Sequence, residues 1–379
     1  MMQWAGRVVS AASVAILLLT TGCAGFFVYP GSLPGGGSGT GTGTEFVYVI
    51  NQTSGQNAGT LVGYSIGTNT LTPVTGSPQS LSFIPTAIAV NRLNTILFVA
   101  GGNVIDTYAI GSGGALSPLA TNSPVATEAA IDISPDGQWL LGLEKGTPSS
   151  EASIDEFQIN SSGQLKVASS GPVIYNQGSS IVPSAIKFAP NGQLVFLALG
   201  TGGDLVYTFT TGSGALSINP SQAITVPGLT ADNALAVSSN SSYVYFARSG
   251  SVGSVVTCPI TSTTVTTASC SSVSAGDRPA AVVLNTTGTD VYVANELDPS
   301  ISGYSGAASG TLTQLSSSPY SISAPTALAV DHSGDYLLAV SSTTSVNNLN
   351  MYSYDSSGNL VSSTSLNTGS TPVGLATTY

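Results

Sequence analysis

The sequence predicts an all-β fold, a seven-bladed β-propeller of four-stranded antiparallel blades whose C-terminal strand closes the ring. Three observations carry that expectation: a strand start that recurs seven times, a near-even spacing of its copies, and half a blade at each end of the repeat. The starts are "PTAIAVN" at Pro85, "EAAIDIS" at Glu128, "PSAIKFA" at Pro183, "DNALAVS" at Asp232, "PAAVVLN" at Pro279, "PTALAVD" at Pro325 and "PVGLATT" at Pro372. They lie 43, 55, 49, 47, 46 and 47 residues apart, close to the period of four-stranded propeller blades.

Each element of a blade follows in order. After the start comes an Asn, Asp or Gly turn, such as "SPDG" at Ser134 or "APNG" at Ala189, and then a second strand such as "LVFLALG" from Leu194 or "YLLAVSS" from Tyr336. Apolar residues alternate along these segments, which is the pattern of half-buried strands. Third strands include "VIDTYAI" and "DLVYTFT", and the turns "GGAL", "SGAL", "SGTL" and "SGNL" lead into the fourth. Glycine there permits the positive φ that a tight hairpin needs. The first folded segment, "EFVYVIN" from Glu45, reads as a second strand without a first. Its missing innermost strand is "TPVGLATTY", Thr371 to Tyr379, and pairing the two removes an open edge from the ring.

Residues 1–22 read as an export signal: Arg7, an apolar stretch from Val8 to Leu19, and then "TTGC" ending at Cys23. The stretch is shorter than the roughly 20 residues a membrane span needs. A small residue directly before Cys23 resembles a bacterial lipoprotein signal, with Thr20 departing from the usual Leu; Cys23 is then the lipidated residue and the membrane anchor. The other reading is an ordinary secretory signal in which Cys23 is incidental. Residues 23–44, rich in Gly, Ser and Thr, form a flexible tether, and residues 45–379 form the propeller.

Composition narrows the partners. Seven Lys and Arg stand against 18 acidic residues, a net charge of −11, which suits the phosphate backbone of nucleic acid poorly. Nucleic acid is therefore excluded, and a monomer is expected. Cys258 and Cys270, twelve positions apart, are placed to form a disulfide in an oxidising compartment, with two buried thiols as the alternative.

With "DVYVANELDPSISGYS" from Asp290 and "SGTLTQL" after it, the chain resembles the lactonase family of seven-bladed propellers, which includes 6-phosphogluconolactonase-like enzymes, and more broadly the YVTN-repeat propellers of cell envelopes. The resemblance implies that the glutamate of "NEL", Glu296, belongs to an active site. It also implies a proline-arginine-histidine run at the start of that blade. Aligned on Pro279 and Gly288, those positions fall on Ala280 and Ala281, and Arg278 stands two residues before Ala280. Ser341 and Ser342 stand where another arginine is expected, and Ser184 or Asn233 where a histidine is.

In a propeller, blade starts and second-strand ends share one rim of the central channel. That rim gathers Asn51, Glu128, Glu144, Lys145, Asp232, Arg248, Asp277, Arg278, Asn295 and Glu296. One reading is a site for a small polar ligand; the other is a solvated loop face, where charge is common. His332, in the turn "DHSG", falls on the opposite face with no second histidine, so neither a metal site nor a catalytic triad is expected around it. Asp132 with Asp136, or Asp155 with Glu156, lacks the oxygen-rich loop of a calcium site. No cofactor is expected.

Because the catalytic positions of the family are eroded, the leading expectation is a non-catalytic, lipid-anchored binding or interaction module of the cell envelope, engaging a small polar ligand or an envelope protein. The alternative is a lactone hydrolase using Glu296 with Arg278 or Arg248. A structural surface-layer element is the third.

Overall fold

In Pro325–Val330 and Tyr336–Ser341 every residue is buried, and successive side chains of a strand face opposite sides of its sheet. Leu328, Val330, Leu337 and Ala339 pack with Ala281, Val283 and Tyr292. Their alternates Ala327, Ala329, Leu338 and Val340 pack with Val47, Val49 and Leu375. Each sheet is sandwiched between two others, so the half-buried reading of these inner strands is corrected: in Pro325–Val330 the alternation is of small with large apolar residues. Polar faces appear only further out, as in Leu116–Asn122 and Ala215–Ile218.

The computed structural model describes residues 44–122, 125–144, 152–174, 181–218, 230–343 and 347–379. They form seven antiparallel sheets. The innermost strands of blades 1 to 7 are, in turn, Thr371–Thr377, Pro85–Val90, Glu128–Ile133, Ala185–Phe188, Ala231–Val237, Pro279–Leu284 and Pro325–Val330. Each contacts the next, and the seventh contacts the first. Two 3-10 turns, Thr267–Ser269 and Ala307–Ser309, are the only helical elements among the described residues. In blades 1, 5 and 6 the outer strand is broken into two short pieces, such as Thr313–Gln314 and Tyr320–Ser321.

The ring closes as the end-halves require. Thr371–Thr377 pairs antiparallel with Glu45–Gln52, with Leu375 opposite Val49. Phe46 N donates to Thr378 Oγ1 at 2.9 Å, and Thr378 N donates to Phe46 O at 2.9 Å. Thr377 Oγ1 donates to Val330 O of blade 7 at 2.8 Å, and Tyr379 N bonds Asn94 Oδ1 of blade 2 at 2.6 Å. One strand therefore ties three blades.

The outer-turn glycines meet a second demand that their positive φ alone did not reveal. Gly214 has φ +75, and a Cβ there would come within 2.5 Å of the Trp139 ring of the preceding blade. Gly310, at φ +73, lies likewise on Tyr243, whose hydroxyl donates to Ser309 O at 3.0 Å. Another tyrosine links blade 7 to blade 1, where Asn69 N donates to Tyr336 Oη at 3.0 Å.

A chain ending at Ser370 loses the innermost strand of blade 1 and uncovers both Val47–Ile50 and one side of blades 2 and 7. It is expected to lose cooperative unfolding altogether; a single sharp calorimetric transition near that of the full chain is the contrary result.

Candidate active site at the channel mouth

In six of the seven blades the register between the innermost and second strands slips directly after one pair at or next to their mouth ends. The pairs are Pro372 with Asn51, Pro85 with Gly101, Glu128 with Glu144, Asp232 with Arg248, Pro279 with Asn295 and Pro325 with Ser341. Proline has no N–H to give the ladder, so a bulge at the strand's first step costs little there. In blades 3 and 5 an acid takes the proline's place, and these two blades carry most of the charge at the mouth.

In blade 5 the acid meets a cation. Arg248 Nε donates to Asp232 Oδ1 at 2.7 Å and Nη2 to Asp232 Oδ2 at 3.2 Å, a two-pronged geometry that fixes the guanidinium plane. Asp204, from the third strand of blade 4, lies 3.8 Å from Nη2. Both carboxylates have fully buried side chains. Backbone bonds between Gly200 and Asp232, at 2.9 and 3.1 Å, hold the two blades together at this point.

In blade 6, Arg278 Nε lies 3.3 Å from Glu296 Oε2. Arg278 has φ 51, in the left-handed region, directly before Pro279, and its carbonyl accepts from Glu296 N at 3.0 Å. A tight rim turn, rather than strand alternation, brings the guanidinium to the carboxylate. Asp277 O accepts from Leu297 N at 3.3 Å and completes the turn. Burial pushes the Glu296 carboxyl above its ordinary value, and Arg278 opposes the shift. The side chain of Arg278 is 38% exposed and that of Glu296 17%, so the pair is partly desolvated yet open to a ligand. Beneath it, Asn295 is buried and donates to Ser300 Oγ at 3.0 Å and Ser302 Oγ at 2.9 Å.

In blade 3 the acid meets other acids. Glu128 is completely buried, and neither of its oxygens accepts a bond from a neighbouring N–H or O–H. Burial, then the Asp155 and Glu144 carboxylates, raise its proton affinity well above the usual range, and burial raises that of Asp155 as well. Gly142 makes room: a Cβ there would fall 2.3 Å from Glu128 Cδ. Glu144 accepts from Ser153 Oγ.

Asn51 is buried at the seam of blades 1 and 7, donating to Thr60 Oγ1 at 3.2 Å and accepting from Thr368 Oγ1 at 2.7 Å. Lys145 and Cys23 lie outside the described residues. Asn233 donates to Pro279 O at 2.8 Å, bridging blades 5 and 6. Cys258 and Cys270 are bonded, with an S–S length of 2.01 Å, on the outer edge of blade 5.

Asp204 and the role of Asp155 escaped the sequence reading, because both sit on third strands and only the topology brings those to the rim. The signal was present as acids opening "DLVYTFT" and within "SIDEFQI". Asp132, weighed for calcium, instead pairs with Lys187 Nζ at 3.2 Å. On the opposite face a cavity of about 310 Å³ is lined by Glu45, Asn94, His332 and Tyr379 among others. Burial first, and the Asp331 carboxylate second, push Glu45 up to about 7.

A family model described as "Lactonase, 7-bladed beta-propeller" matches residues 168–374. A Bacteroides fragilis protein for which 6-phosphogluconolactonase activity has been suggested is 18% identical, with a TM-score of 0.72 over 90% of this chain and 99% of that one. A Bacteroides uniformis protein with the same suggested activity is 16% identical, TM-score 0.71, over 88% and 99%. The periplasmic gluconolactonase of Pseudomonas aeruginosa is 17% identical, TM-score 0.68, over 88% and 99%. At such identities these likenesses concern the fold alone. No curated protein matches the chain.

Glu128→Gln keeps the shape of the blade 3 pair and removes an ionisable group. Because folding raises the Glu128 pKa, the native state pays an increasing penalty as pH climbs above the ordinary carboxyl value of 4.5. The variant is expected to melt higher than the parent at pH 8, with the gap closing toward pH 4; a gap that is constant with pH is the contrary result.

Proposed function

Since the chain belongs to the seven-bladed β-propeller lactonase family, we propose that it hydrolyses a lactone at the channel mouth, with Glu296 and Arg278 as its catalytic pair. The expectation of a non-catalytic module is corrected by that membership: the matched segment, residues 168–374, contains the whole of blades 5 and 6. The alanines at the family's arginine and histidine positions had argued for an eroded site. The observation that carries the proposal is the 3.3 Å approach of Arg278 to Glu296, which supplies a cation from outside the motif.

Glu296 as a carboxylate takes a proton from a water, and the water oxygen attacks the lactone carbonyl carbon. Negative charge develops on the carbonyl oxygen, where the Arg278 guanidinium stabilises it. The ring C–O bond then breaks, and the proton held by Glu296 passes to the departing alkoxide, leaving a hydroxy acid and a regenerated carboxylate. A base with a raised proton affinity suits this role, because it binds the proton more firmly in the transition state than an ordinary carboxylate does. Arg248, held by two buried carboxylates, supports the rim beside the pair. The apolar stretch before Cys23 supports an exported, lipid-anchored enzyme.

Glu296→Gln is expected to lower kcat/KM for lactone hydrolysis by about 100-fold or more, and Arg278→Ala by about 100-fold. The rate of the parent should fall on the acid side, with a midpoint above 4.5 because the Glu296 pKa is raised and only the deprotonated form is a base. Turnover unaffected by Glu296→Gln is the result that removes the pair from catalysis.

A further inference from the structure

The charge at the channel mouth bears on which lactone it admits. Arg248 is held by Asp232 and Asp204, two carboxylates against one guanidinium. Arg278 is matched by Glu296. Glu144 and Asp155 add carboxyl groups in blade 3 that form no ion pair among the described residues. The segment joining Glu144 to Ala152 carries Lys145 and Glu151, one charge of each sign. Lys187 is engaged deeper in the ring with Asp132.

A phosphate ester is recognised by cations free to fork onto it or by backbone N–H groups at a helix N-terminus. Among the described residues there is no α-helix, and both described guanidiniums of the mouth are already in ion pairs. Asp204 and Asp232 are fully buried, so solvent ions screen their charge little. A dianionic phosphate would enter against this field. Sugar hydroxyls fare differently: they donate hydrogen bonds, and the partly buried carboxyl groups of Glu144, Asp155 and Glu296 can accept them.

On the reading that this is a lactone hydrolase, we infer that its substrate class is an uncharged, polyhydroxylated sugar lactone, and that Asp204 with Asp232 discriminates against the phosphorylated analogue by occupying Arg248. Asp204 acts through Arg248 and is a specificity-determining, positioning residue.

The test compares initial rates of the full chain in detergent micelles on glucono-1,5-lactone, 6-phosphoglucono-1,5-lactone and an N-acyl homoserine lactone, at low and at high salt. The expected result is a kcat/KM at least tenfold higher on gluconolactone than on either other substrate. Asp204→Asn should raise turnover of the phosphorylated lactone several-fold relative to gluconolactone, a change in the ratio of the two that a merely destabilised ring would not produce. High salt should narrow the preference only partly, since the buried acids remain unscreened. Equal or faster turnover of the phosphorylated lactone overturns the inference and leaves lactone hydrolysis standing, and so does a preference for the acyl lactone. Turnover of none of the three by folded protein removes the hydrolase reading and this inference together.

Discussion

The pairing of Thr371–Thr377 with Glu45–Gln52 is the constraint on which the rest of this structure depends. A propeller blade buries both faces of its sheet only if it has a neighbour on each side, and an open ring would leave two blades with a bare apolar face. The closing strand also reaches blade 7 through Thr377 and blade 2 through Tyr379. A backbone ladder between segments more than 300 residues apart thus holds the channel, and with it the geometry of every rim residue.

Given closure, the inter-blade cores follow from small side chains meeting large ones. Alanines on one side of a strand admit the leucines, valines and tyrosines of the next sheet, as Ala281 and Ala294 do with Leu328 and Leu337. At the outer turns, glycines let a neighbouring aromatic ring lie directly against the backbone. Both devices depend on the absence of side-chain bulk, and the chain accordingly holds 44 glycines.

The channel mouth uses this rigid frame for electrostatics. Where Glu128 or Asp232 stands in place of the proline that opens other innermost strands, an acid is buried at the rim and needs a partner or a raised proton affinity. Asp232 finds Arg248, and burial raises the proton affinity of Glu128 beside Asp155. Burying such groups is costly, and they stand at the end of the ring where the Arg278 and Glu296 pair meets solvent. Carboxyl groups of raised proton affinity are thereby gathered at one mouth.

The number of blades, the order of their strands and the partner of the first segment were all legible in the sequence, because each is set by local patterns that repeat: strand alternation, turn residues and a fixed period. The rim position of Glu296 was legible as well, from its place directly after a second strand. What the repeat could not show is which faces are buried, since small and large apolar residues alternate just as apolar and polar ones do. Nor could it show that Arg278 reaches Glu296. The two lie eighteen positions apart, and their contact depends on a left-handed turn before Pro279 and the bulge after it. Asp204 joins Arg248 only because blades 4 and 5 are neighbours in the ring. Periodicity places residues on strands, but the charges of a site meet across blades, and that distance is decided by tertiary packing.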